Sequence, residues 1–341
     1  MSMRVCVTGA AGFVGAHTVG ALLARGHHVR AAVRDPKNAA KNAHVVALAG
    51  DARDRLELVR LDLEDASTFE PAFAGCDAVV HTASAVTLTA KDPEREIVGV
   101  AVQGAENAMR AATRAGVKRL VMTSSVAAVV DADVDPDHLF SEADWNESVT
   151  TKRDAYANSK VKAERAARRL ASEPGAPRLV TILPSLILGP ILAEAHLRTS
   201  PAVLFEILRG AYPGVPNLHF GVVDVRDVAE AHVRAMEHAE PAERYLCSAA
   251  SAALRDMAET MRAAEPSASV PTRRLPDLLM YATALFDKRL TFGFLKQNLG
   301  RAPRFDNGRT RRDLGMQYRD VSETVRDTAR SIVEGGHLSR R

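Results

Sequence analysis

Tyr156 and Lys160, in the run Y-A-N-S-K, stand four residues apart, the spacing that puts two side chains on one helical face. A free phenol titrates near ~10, too high for ready proton exchange at neutral pH. An ammonium beside it favours the phenolate, so such a pair can both donate and accept a proton. Thr123-Ser124-Ser125 closes an apolar run and brings hydroxyls that can hydrogen-bond an oxygen on which negative charge develops. By itself a Tyr-x-x-x-Lys pair also arises by chance on any exposed helix. The elements that would position it decide between the two.

The first such element is at the N-terminus. Val5, Cys6 and Val7 form a short apolar run, and glycines recur at Gly9, Gly12 and Gly15 before an apolar-periodic segment. This reads as a strand, a tight turn and a helix start, the context that lets a dinucleotide pyrophosphate approach the backbone. Free N–H groups near Phe13 and Val14 would face the anion at the positive end of the helix dipole. The helix Phe13–Arg25 ends at Gly26, and strands follow at His28–Val33, Leu58–Leu61, Ala78–His81, Arg119–Thr123 and Leu179–Leu183. Between His28–Val33 and Leu58–Leu61 the sequence looks polar and flexible through Asp54. Helices are expected around Ser67–Phe73, Pro93–Ala115, Asp154–Leu170 and Val228–His238. Alternating strands and helices signal a parallel, doubly wound Rossmann sheet, class α/β. Val222–Val225 and Tyr245–Cys247 read as strands returning to it. The expected division is a dinucleotide-binding domain of residues 1–184 and 222–250, with a smaller, mostly helical lobe of residues 185–221 and 251–341 over the strand ends.

The second strand chooses the cofactor. NAD-binding versions of this fold end it with Asp or Glu, which holds the ribose 2′-hydroxyl. Here Val33 fills that slot and Arg34 follows. An aliphatic side chain cannot hydrogen-bond the hydroxyl, whereas a guanidinium suits a 2′-phosphate. Lys41, or alternatively Lys37, adds a second cation. Asp35, read one residue late, would favour NAD, but Pro36 turns the chain there and Asp35 is taken as a turn residue. NADP is the expected cofactor. Asp62 is placed to accept from the adenine amine, to serve as a turn or cap residue, or both.

The 341 residues carry a formal net charge of +3, too small to mark a nucleic-acid or membrane surface. The charges of Lys152–Arg169 read as a solvated face. Cys6, Cys76 and Cys247 sit in apolar surroundings and read as buried thiols of a reducing compartment. The longest apolar stretch, Leu179–Ala193, is broken by Pro184 and by Gly189-Pro190, so no membrane span is expected and the assigned location is cytoplasmic. His17, His196, His219 and His232 lack metal-ligand spacing, so no metal is expected. His81 reads as a core or cofactor-lining residue.

Taken together, V-T-G-A-A-G-F-V-G (7–15), V-R-D-P-K-N (33–38), V-V-H-T-A-S (79–84), R-L-V-M-T-S-S (119–125), Y-A-N-S-K (156–160), T-I-L-P-S-L-I-L-G-P (181–190) and V-D-V-R-D-V-A-E-A-H (223–232) resemble an extended short-chain dehydrogenase/reductase. More closely, the chain resembles the dihydroflavonol reductase and cinnamoyl-CoA reductase group with its microbial aldehyde and ketone reductases. The likeness covers about the first 250 residues. It implies NADPH-dependent reduction of an aldehyde or ketone, with Ser125, Tyr156 and Lys160 catalytic and Ser124 structural. It also implies that Arg34 and Lys41 hold the 2′-phosphate, and Asp62 and Leu63 the adenine. Thr82, Ala83 and Ser84 would lie along the cofactor, Pro184 to Leu186 would flank the nicotinamide, and Ser200 would be a further contact. Val130 stands where plant dihydroflavonol reductases carry a polar residue, which implies a less polar substrate. Asn107 is the nearest candidate for the asparagine of single-domain relatives, and reads rather as an ordinary helix residue. Met280, Tyr281, Leu285, Phe286, Phe292 and Phe294 either wall a substrate pocket or pack the small lobe. Expected partners are a small-molecule carbonyl substrate, no nucleic acid and no membrane, in a monomer or homodimer. Two rivals stay open: an NAD-dependent sugar-nucleotide epimerase/dehydratase or 3β-hydroxysteroid dehydrogenase, and a non-catalytic NADP-sensing regulator.

Overall fold

Val5 and Val7 point to one face of the first strand and Cys6 to the other, and all three are fully buried. A strand apolar on both faces belongs in the middle of a parallel sheet covered by helices on each side. The computed structural model, which describes residues 2–84, 90–283, 295 and 298–338, has that form. Strand β1 (Arg4–Thr8) leads through the glycine turn to helix α1 (Phe13–Ala24), which stops at Gly26, at φ +81°. Then follow β2 (His28–Val33), α2 (Ala39–Ala47), β3 (Leu56–Arg60), α3 (Phe69–Phe73), β4 (Ala78–His81), α4 (Val100–Arg114) and β5 (Arg119–Thr123). A short β6 (Leu139–Phe140) precedes α5 (Ala155–Ala171), β7 (Arg178–Pro184), β8 (Leu186–Leu188) and α6 (Ala202–Leu208). Next come β9 (His219–Asp224), α7 (Val225–Glu237), β10 (Arg244–Cys247), β11 (Ala250–Ala253) and α8 (Leu254–Ala264), with further helices at Asp277–Thr283, Gly308–Asp313 and Val321–Glu334.

Seven parallel strands form the main sheet in the order β10-β7-β5-β4-β1-β2-β3. Winding reverses between β1 and β4, and a ligand crevice opens at that switch point outside the strand ends. One face packs on α1 and α7. The other packs on α3, α4 and α5. Among the described residues no helix is long and apolar enough to cross a membrane, and no cluster suits a metal ion. The three cysteines are free and buried.

Three expectations change. Val222–Val225 does not return to the main sheet: β9 pairs with β8 in parallel and with β11 antiparallel, making a separate three-stranded sheet. Ser185 alone separates β7 from β8, and there the chain leaves one sheet for the other. Within the stretch expected to be flexible lies α2, capped by Asn38 on the Lys41 N–H, with Asn42 and Val45 buried, followed by a 3₁₀ turn over Gly50–Arg55. The charged helix is not a solvated face throughout, since Glu164 is wholly buried on α5. Of the aromatic and aliphatic set near the C-terminus, Met280 is buried and Tyr281 half-buried. Leu285, Phe286, Phe292 and Phe294 lie outside the described residues.

Candidate active site

A cleft of about 460 Å³ runs along the carboxyl ends of the strands. At its centre the glycine turn is forced by space. Gly9 takes φ +65°, and a Cβ there would stand 2.9 Å from the Ala83 backbone. A Cβ on Gly15 would collide with the Gly9 carbonyl, so only glycine lets α1 sit this close to the turn. Gly12 donates its N–H to the Gly9 carbonyl at 2.8 Å and caps α1, with Phe13 and Val14 beginning the helix on the cleft wall. Thr82 braces the other side: its hydroxyl donates to the Thr8 carbonyl at 2.7 Å, and the Ala83 N–H donates to the Thr8 hydroxyl. His81 is buried, shares a 2.8 Å hydrogen bond with Thr8, and is pushed down to about 4 by burial and then by the nearby Lys160 ammonium. It is a neutral core residue, as its sequence context suggests.

Arg34 and Lys41 line one end of the cleft with Asp62 and Leu63. The Arg34 side chain is 84% exposed, and its one ion pair among the described residues is a 3.8 Å approach to Asp62. Asp62 also accepts from the Glu64 N–H, so it is a turn residue as well. The Asp35 carboxylate accepts from the Lys37 N–H in a local turn, as Pro36 suggests.

Ser125, Tyr156 and Lys160 converge on the same cleft. The fifth strand carries Ser125 out to the rim, where its Oγ accepts from the Ala127 N–H at 3.1 Å. That bond fixes the oxygen and leaves the hydroxyl proton free to donate. Helix α5 starts at Asp154, whose side chain caps the Ala157 N–H at 2.9 Å, so Tyr156 sits in the first turn. The Lys160 ammonium lies 5.6 Å from the centre of the Tyr156 ring and donates to the Ser84 hydroxyl at 3.2 Å. Ser124 turns away: its hydroxyl donates to Glu164 at 2.6 Å. Glu164 also accepts from Thr181 at 2.9 Å and from Arg244 Nε at 2.9 Å. One buried carboxylate thus ties α5 to the end of β5, the middle of β7 and the start of β10.

Pro184 and Ser200 line this cleft as well, but Leu186 lines an adjoining chamber instead. Alternation along the strand puts Ser185 and Leu186 on opposite sides. Ser185 falls within the Pro184 to Leu186 run expected to flank the nicotinamide and lines the cleft, and Thr199 is a cleft residue that the sequence did not single out. Among the described residues the buried Ser185 hydroxyl has no hydrogen-bond partner. Asn107, on α4, does not line the cleft.

An open α/β sheet with a glycine-lined cleft at its switch point and a Ser, Tyr and Lys beside it defines the extended short-chain dehydrogenase/reductase class. The chain belongs to the NAD dependent epimerase/dehydratase family, whose model matches residues 5–247. It is 35% identical to tetraketide alpha-pyrone reductase 1 of Arabidopsis thaliana, over 98% of this chain and 97% of that one. It is also 35% identical to cinnamoyl-CoA reductase 1 of Oryza sativa subsp. japonica, over 98% and 91%. Among solved structures it is similar to yeast methylglyoxal/isovaleraldehyde reductase Gre2 complexed with NADPH, with a TM-score of 0.82, 26% identity and coverage of 98% and 100%.

Proposed function

We propose that the protein is an NADPH-dependent reductase of aldehydes or ketones in which Ser125, Tyr156 and Lys160 carry the chemistry. The observation behind this reading is their convergence on one cleft whose far end presents Arg34 and Lys41. The residues fit the dinucleotide: the turn leaves no room for a Cβ at Gly9 or Gly15, and Arg34 is free to meet a 2′-phosphate. Gly9, Gly12, Phe13, Val14 and Gly15 would hold the pyrophosphate, and Asp62 and Leu63 the adenine. Thr82, Ala83, Ser84, Pro184 and Ser200 would line the remainder. NADPH bound there supplies the hydride that reduces the carbonyl carbon.

Ser125 donates its free hydroxyl proton in a hydrogen bond to the substrate oxygen, most strongly as negative charge grows there. Tyr156 gives that oxygen its proton. Lys160 stabilises the resulting phenolate and holds the ribose hydroxyls. The same residues serve alcohol oxidation in reverse. Arg34 after Val33 favours this reading over an epimerase that retains NAD.

Tyr156→Phe tests the assignment. It should lower kcat by about 10²–10⁴-fold, the usual worth of positioned acid–base catalysis, while NADPH affinity measured by fluorescence titration stays within about twofold. Retained turnover would refute the role of the phenol.

A further inference from the structure

The chamber next to the cleft holds about 550 Å³, within the usual size of small-molecule sites. It adjoins the reacting groups: Val126 and Ala127 follow Ser125, Ala157 follows Tyr156, and Leu186 follows Ser185. Its walls are largely apolar, with Val126, Val130, Phe140, Leu186, Phe220 and Phe305 among them. Gly221 supports Phe305, because a Cβ there would run into the ring. Several of the charged residues around it are already engaged. Asp131 accepts from the Ser148 and Glu147 N–H groups, Arg153 pairs with Asp133, and Asp154 caps α5.

Among the described residues one buried polar atom in this lining is unanswered: His219, at the start of β9, lines the chamber, and its buried Nδ1 has no hydrogen-bond partner among them. Unpaired buried polar atoms are costly and rare, so a native one calls for a physical reason. A ligand oxygen would answer it: imidazole accepts from a hydroxyl in one tautomer and donates to a carbonyl in the other.

We infer that this chamber holds the body of the substrate and that His219 is its specificity-determining residue. The substrate class is then aldehydes and ketones with an aromatic or branched aliphatic body and a second oxygen, as hydroxyl, keto or ester, away from the reacting carbonyl. This rests on the reductase reading above.

The test compares 4-phenylbutan-2-one with its ring-hydroxylated analogues and with 1-phenylbutane-1,3-dione at saturating NADPH. The native chain should prefer an oxygen-bearing member by about tenfold or more in kcat/KM, because a site built to hydrogen-bond an oxygen rejects the analogue lacking it. His219→Phe should erase that preference by lowering kcat/KM for the oxygen-bearing member toward that for the plain ketone. His219→Gln, which keeps a donor and an acceptor, should retain part of it and serves as the second variant if the phenylalanine form does not fold. A native chain without preference, or a folded His219→Phe form that keeps it, overturns the inference alone. No turnover of any member, with NADPH still bound, overturns the reductase reading and the inference together.

Discussion

Arg34 makes only a long approach to Asp62, so most of its hydrogen-bonding capacity is available to a ligand. Hydrogen bonds to charged groups contribute about 1.5–3 kcal/mol. Arg34→Ala should therefore weaken NADPH binding by about ten- to hundredfold and leave NADH within about twofold, since only the former carries the phosphate. Isothermal titration with both cofactors checks this, and equal loss would return Asp35 to contention. Much at this scale is written locally. Val33, Arg34 and Pro36 sit together, and the turn bond that the Lys37 N–H donates to the Asp35 carboxylate is what that order suggests. His219 is different, because its significance depends on β6, β8 and a C-terminal segment that share no local pattern with it.

On α5, Tyr156, Lys160 and Glu164 follow one another at four-residue intervals and share one face. The first two face the cleft, and the third enters the sheet's buried polar network. Arg244, which meets that carboxylate, also lies 4.0 Å over the Trp145 ring and donates to the carbonyls of Glu142 and Asp144. Glu164→Leu leaves this buried guanidinium without its anion. Breaking a buried pair in this way costs about 3–5 kcal/mol, to be read from urea unfolding. Turnover per folded molecule should fall too, since the helix bearing Tyr156 and Lys160 loses its tie to Ser124. Unchanged turnover would show that the clamp holds the fold alone. A lone Glu among Lys and Arg on a helix looks solvated from sequence, and only packing against β5, β7 and β10 reveals otherwise.

Across the molecule, three buried histidines, His81, His196 and His232, are pushed down to about 4, chiefly by burial. In the unfolded chain they titrate near ~6.5. Between those values the unfolded state binds more protons, so stability rises with pH there. The melting temperature should be level above pH ~6.5 and fall steadily toward pH ~4. A constant value from pH 7 to 5, followed by calorimetry, would contradict this. His44 and His196 both hydrogen-bond the Ala11 carbonyl in the glycine turn. Strand and helix alternation announced the parallel sheet, because each element there has its own periodicity. The small sheet was not legible, since Val222 and Val223 are as apolar as core-strand residues and nothing local says which neighbours they find. With only Ser185 between β7 and β8, a single thickness of backbone serves as partition between two rooms. Remodelling Leu186 to change what the chain accepts would therefore disturb its grip on the dinucleotide, whereas edits at Phe220 stay on the far side of that partition and leave selectivity free to drift on its own.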